Sequence, residues 1–196
     1  FRLCDPSSME SYTSPVFKLL IPMIYEGNLE RELVIDIVST LADATKNIKI
    51  NIDDKTEFLN LLFHLKDTVN LNPANKSERK FIGTFFEIMF YAFAMIIECS
   101  LDDHLFDEIE YETGFFPLIQ SFLSMKIYES HILLSFMSFI KNIVSLYRDS
   151  GNVILKLNSS KIRQLIEPLK TSENDSIRFA ALDTWKVLSK TRIKLK

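Results

Sequence analysis

Apolar residues recur along this chain at three- and four-residue spacings, segment after segment, the pattern of helices that bury one face. Ser14 and Pro15 read as the cap and first position of a helix over 15–25, because proline lacks an N–H that would be unpaired there anyway. Gly27 can take the left-handed conformation that ends it. Leu33, Val34, Ile37, Val38 and Leu41 share one side of a helix over 29–45, capped by Asn28, with Glu30 and Glu32 where the helix dipole favours anions. Phe58, Leu59, Leu62, Leu65 and Val69 do the same over 55–70, opened by Asp53 or Asp54 and closed by an Asn- and Pro-rich loop. Ser77 caps a long apolar helix over 78–99, and a short acidic helix is expected over 102–112. Helices over 115–125 and 128–148 follow, Gly151 stopping the second; Ser159 or Ser160 caps 161–170, and Asn174 or Asp175 caps 175–190. The runs 48–52 and 153–157 have strand character but no pairing partner, so the pattern predicts an all-α chain.

A repeat lies under this pattern. Leu20-Ile21-Pro22-Met23-Ile24, Phe115-Phe116-Pro117-Leu118-Ile119 and Leu165-Ile166-Glu167-Pro168-Leu169 each set bulky apolar residues around a proline, ahead of a second amphipathic helix. The prolines are 95 and 51 residues apart, and the first gap is close to two periods of about 47 residues, a helical-repeat length. Helices 55–70 and 78–99 fill that gap as a further pair. The last pair carries the most specific signal: Asn174-Asp175-Ser176-Ile177-Arg178-Phe179-Ala180-Ala181-Leu182 resembles the second helix of a HEAT repeat, with Ile177 where valine is usual and Trp185 where leucine is usual. The resemblance to the HEAT/armadillo superfamily implies a right-handed α-solenoid of about four stacked helical pairs. It also implies that Asp175 and Arg178 join a ladder between neighbouring repeats, that Ala180 and Ala181 permit close helix approach, and that the exposed sides of the second helices bind protein. The corresponding division is an N-terminal extension over 1–13, one repeat domain over 14–190 and a basic tail over 191–196.

Composition agrees with a folded helical chain: 196 residues, 47% hydrophobic and 25% charged, with 4 Gly and 6 Pro. The net charge of −3 gives no overall case for nucleic acid or an anionic membrane, but its distribution is uneven. Residues 161–196 carry 9 Lys and Arg against 4 Asp and Glu, and the preceding residues carry 14 against 22. Cys4 and Cys99 are too few for a disulfide framework and lack zinc-ligand spacing, so a reducing, intracellular setting (cytoplasm or nucleus) is expected. The start at Phe1, with no secretory pattern, leads us to expect part of a longer protein. Residues 81–97 read FIGTFFEIMFYAFAMII, borderline for a membrane span; Glu87 at the middle and Arg79, Lys80 and Glu98 at the flanks favour a buried helix instead.

Catalytic chemistry finds little support. His64, His104 and His131 lie in different segments, and only Asp103, His104 and Asp107 could meet on one helical turn to hold a divalent metal, a weaker reading than a solvated acidic face. Gly27, Gly83, Gly114 and Gly151 build no phosphate loop, and Cys99 at a helix C-terminus, where the dipole opposes a thiolate, reads as a small buried hydrophobe. No enzyme activity, cofactor, metal or small-molecule substrate is therefore expected.

Three surfaces are candidates for partner binding. Phe86 and Phe90 belong to a helix whose aromatic residues cover more than half its circumference, so either neighbours bury both sides or an apolar groove remains. Asp102, Asp103, Asp107, Glu108 and Glu110 offer an acidic patch to a basic segment, and Lys186, Lys190 and Arg192 a basic one to acidic protein or phosphate. The chain is thus expected to be a non-enzymatic scaffold that binds a partner peptide or helix. A nucleic-acid- or chromatin-associated module using the basic end is the alternative, with no membrane partner expected.

Overall fold

The computed structural model describes residues 6–47, 51–68, 76–100, 114–125, 129–159 and 161–190, with side chains described from residue 15 onward except at 47, 68, 158 and 159. The described residues are helical and contain no strand: α1 (Pro6–Tyr25), α2 (Arg31–Asn47), α3 (Ile52–Thr68), α4 (Lys76–Ser100), α5 (Phe116–Met125), α6 (Ser130–Leu146), α7 (Gly151–Ser159), α8 (Ile162–Leu169) and α9 (Asp175–Lys190).

Local chemistry sets several boundaries. The amide of Glu26 donates to the Pro22 carbonyl at 3.0 Å and that of Gly27 to Ile24 at 3.1 Å, and Gly27 then turns the chain at φ 73°, as its sequence position predicts. The start of α1 needs correction. Proline does open it, but at Pro6, and Pro15 lies inside the helix. Asn51, two residues upstream of the earlier expected start, caps α3: its side-chain oxygen accepts from the Asp54 amide at 2.8 Å, and its amide group donates to the Asp54 carboxylate at 2.9 Å. Asn174 caps α9 as expected, accepting from the Ile177 amide at 3.3 Å.

Helix α7 replaces the weak strand candidate at 153–157, and Gly151 begins it rather than only ending its predecessor. A strand would place residues 153, 155 and 157 on one face; here Val153, Ile154 and Leu157 are buried and Leu155 is exposed, the spacing of a helix.

In the packing order, α2 lies on α4, α4 on α6 and α6 on α9, while α1 lies on α3, and α7 and α9 both lie on α8. Helix α4 is long and apolar enough to cross a membrane by length and composition, yet 67% of its most apolar stretch is buried among the other helices. Phenylalanine fills the centre. Phe90 of α4 meets Phe86 at 5.7 Å, Phe122 of α5 at 5.1 Å, and Phe136 and Phe139 of α6 at 5.3 and 5.1 Å between ring centroids. Phe93 extends the cluster to Phe115 at 4.9 Å and Phe63 of α3 at 5.6 Å. These rings pack in a mixture of edge-to-face, tilted and stacked pairs, so several helices share one interior.

Polar links join successive members of the row. The Tyr91 hydroxyl donates to Asp43 at 2.6 Å between α4 and α2, and Asn142 donates to the Ala94 carbonyl at 3.0 Å between α6 and α4. His131 Nε2 lies 3.3 Å from Glu87 across the same junction, and Lys141 of α6 pairs with Asp183 of α9. Burial and the hydrogen bond to the Asp43 carboxylate push the Tyr91 phenol up to about 12. Its folded-state value is raised, so the stabilisation is complete below pH 10 and is lost as pH climbs towards 12. Subtracting the ultraviolet titration of Tyr91→Phe from that of the parent chain is expected to reveal one phenol ionising near 12. Asp43→Asn should bring that phenol down towards 10; an unchanged titration in Asp43→Asn would refute the link.

Candidate interaction surface

The three surfaces picked out in the sequence fare differently. Phe86 and Phe90 are both 0% exposed, so they form core and present nothing to a partner. Ring contacts with Phe122 of α5 and Phe136 of α6, and the packing of α2 and α3 on the same helix, resolve the choice between core and groove in favour of core. Asp102, Asp103, Asp107, Glu108 and Glu110 lie outside the described residues, as do His104, Arg192 and Cys4. Lys186 and Lys190 are described and exposed, both on α9.

Two further expectations change. Cys99 is exposed rather than buried, its thiol 3.3 Å from the Thr45 carbonyl. Arg178 pairs with Asp175 within α9 and donates to the Ser172 carbonyl at 2.8 Å, so the described contacts fix the start of its own helix instead of a ladder to another. Ala181 is fully buried, as close helix approach requires.

Helix α9 has two faces of different character. Ile177, Ala181, Thr184 and Leu188 recur every three or four residues and are buried. At about 100° per residue, Phe179, Leu182, Lys186 and Lys190 fall on the opposite side. All four are exposed; Phe179 at 65% and Leu182 at 46% are large apolar groups left in water. The acids beside this stripe are engaged: Asp175 with Arg178, and Asp183 with Lys141. The hydrogen bond from Lys141 holds the Asp183 carboxyl below its ordinary range, and the charges of Lys141, Lys186 and Lys190 add to the effect. Between the faces, Trp185 carries the Lys170 ammonium 4.1 Å and the Arg163 guanidinium 5.6 Å from its ring centre, and Arg163 also donates to the Leu188 carbonyl at 3.1 Å. These contacts fix how α9 sits on α8.

The sequence placed Lys186 and Lys190 on a candidate surface but did not single out Phe179 and Leu182. Their signal was available: on a helical wheel they oppose Ile177, Ala181 and Leu188.

A cleft of about 310 Å³ opens where α1 passes into α2, lined by Tyr25, Arg31, Val34, His64, Phe81 and Phe85. Tyr25 and His64 touch at 4.9 Å between ring centres, and the Arg31 guanidinium lies 5.5 Å from the Phe81 ring centre. Burial, and then the negative charge of Glu57, raise the Tyr25 phenol above its ordinary value, the opposite of what a tyrosine nucleophile needs. Among the described residues, no three His, Cys, Asp or Glu side chains are grouped to hold a metal.

No protein-family model matches this chain, and neither the curated proteins nor the solved structures include a match.

Proposed function

We propose that the chain is a non-enzymatic, intracellular scaffold: an α-solenoid of about four HEAT/armadillo-like pairs that binds a partner peptide or helix on its surface. The observation that carries this reading is the order of packing. Helices α2, α4, α6 and α9 follow one another in a row, the first three alternate along the chain, and α1 and α3 pack side by side, as the two layers of stacked hairpins would. Each junction of the row has polar links as well as apolar contact, which favours a stable repeated stack over a loose bundle. A stack of this kind presents its helix faces as side-by-side strips, and protein partners suit such strips better than small substrates do.

The test is cross-linking of the tagged chain in cells to its bound proteins, followed by mass spectrometry of the linked lysines. Links from Lys46 of α2, Lys80 of α4, Lys141 of α6 or Lys186 of α9 to one recurrent protein are expected. Recurrent links to nucleic acid alone, lost as salt is raised, would favour the basic-end alternative; absence of both would defeat the scaffold reading.

A further inference from the structure

We infer that the outward face of α9 is a docking strip for an acidic, amphipathic peptide segment, a conclusion that rests on the scaffold reading. The strip has an apolar end, Phe179 and Leu182, and a cationic end, Lys186 and Lys190, spaced over about three turns of one helix. Two large apolar side chains on the water side of a helix lose nothing in folding the domain, and they gain from cover by an apolar partner. The nearby carboxylates make their ion pairs elsewhere, Asp183 with Lys141 and Asp175 with Arg178, so Asp183 offsets Lys186 and Lys190 only through space. The guanidinium of Arg178, 5.6 Å from the Phe179 ring centre, adds positive charge beside the apolar end. A segment with leucine or phenylalanine facing Phe179 and Leu182, and aspartate or glutamate facing Lys186 and Lys190, complements both ends at once. Nucleic acid complements the strip less well: Leu182 offers nothing to a base or a phosphate, and the Asp183 carboxylate follows it, ahead of the cationic end.

The strip is also well mounted. Ile177, Ala181 and Leu188 anchor the far side of the helix, while Trp185 with Lys170 and Arg163 holds its flank. A peptide that binds there meets a surface already in place and does not pay to order it.

Random peptides of about 16 residues, enough for four helical turns, are displayed on phage and selected on the purified chain and, in parallel, on Phe179→Ser. Enriched peptides are then measured by fluorescence anisotropy against the parent chain, Phe179→Ser and the double variant Lys186→Glu/Lys190→Glu. Circular dichroism checks that each variant keeps its helicity, and all three positions are exposed. The expected result is a class of peptides rich in Leu or Phe with interleaved Asp or Glu, weakened about tenfold or more by either variant and weakened further by added salt. Peptides that bind equally well to all three proteins would overturn the docking strip and leave the scaffold reading standing. Selection of no peptide at all would count against both. A single-stranded RNA oligonucleotide that binds in a Lys186- and Lys190-dependent way, with no acidic peptide doing so, would replace the inference with a nucleic-acid surface.

Discussion

Phe90→Ala is expected to lower the free energy of unfolding by about 3–5 kcal/mol, the range for removing a fully buried phenylalanine. The ring is 0% exposed and touches Phe86, Phe122, Phe136 and Phe139, so its loss leaves a hole walled by three helices. Those walls cannot close easily, because α4 is held to α2 by Tyr91–Asp43 and to α6 by Asn142–Ala94. Urea denaturation followed by circular dichroism measures the effect. Phe179→Ala, on the exposed face of α9, is the matched control, with an expected change within about 0.5 kcal/mol. Equal losses in the two variants would contradict the burial pattern described above.

The second large effect is expected at Lys55→Met, a loss of about 1–3 kcal/mol from a part-buried helix-end carbonyl that loses its charged donor. Lys55 is 6% exposed, and its ammonium donates to the Cys99 carbonyl at 2.8 Å, in the last turn of α4. Carbonyls at a helix C-terminus lack helical partners and carry partial negative charge, so a cation there answers both needs. The Cys99 thiol in turn reaches the Thr45 carbonyl, which brings the end of α2 into the same knot as the start of α3. Methionine keeps most of the length and the apolar stem of lysine, isolating the loss of the ammonium. Thermal and urea unfolding of Lys55→Met beside Lys161→Met, an exposed lysine at the start of α8, would decide the matter. A Lys55 variant as stable as the Lys161 variant would show that the knot contributes nothing.

Part of this fold was legible because some helices carry their own punctuation, whereas the caps expected at Asn28, Ser77 and Ser159 or Ser160 do not hold: α2 starts at Arg31, Ser77 lies inside α4, and Lys161 stands at the N-cap of α8 with no side-chain cap bond. Gly27 acts where residue chemistry alone puts it, Asn174 is one of the two caps that chemistry allowed, and the buried positions of α2 and α6 follow helical periodicity. Failures arose where two local rules compete. Pro15 satisfied the first-position rule as well as Pro6, and local sequence had no way to choose between them. Asn51 sits beside two aspartates that also favour a helix start, and its reciprocal bond with Asp54 decides the cap. The run at 153–157 is apolar enough to suit strand or helix; burial of Val153, Ile154 and Leu157 against other helices settles it.

The candidate surface was less legible than the fold. Phe86 and Phe90 are the kind of residue that marks an interface as readily as a core, and only the neighbours supplied by α5 and α6 tell the two apart. The charge of Lys186 and Lys190 was visible in the sequence, whereas the commitment of Asp183 to Lys141, 42 residues away, required the fold. Phe179 and Leu182 become informative only once the rest of α9 is seen to be covered.

Helices ordered in a row would ordinarily melt one hairpin at a time from either end. The shared rings of α4 oppose that economy: Phe90 is walled by α5 and α6, Phe93 by Phe115 and by Phe139 of α6, and the backbone end of the same helix is tied to α2 and α3. Severing the chain within α4 would therefore strip cover from both remaining pieces, and a nick there would be felt throughout the molecule as the loss of a common keystone.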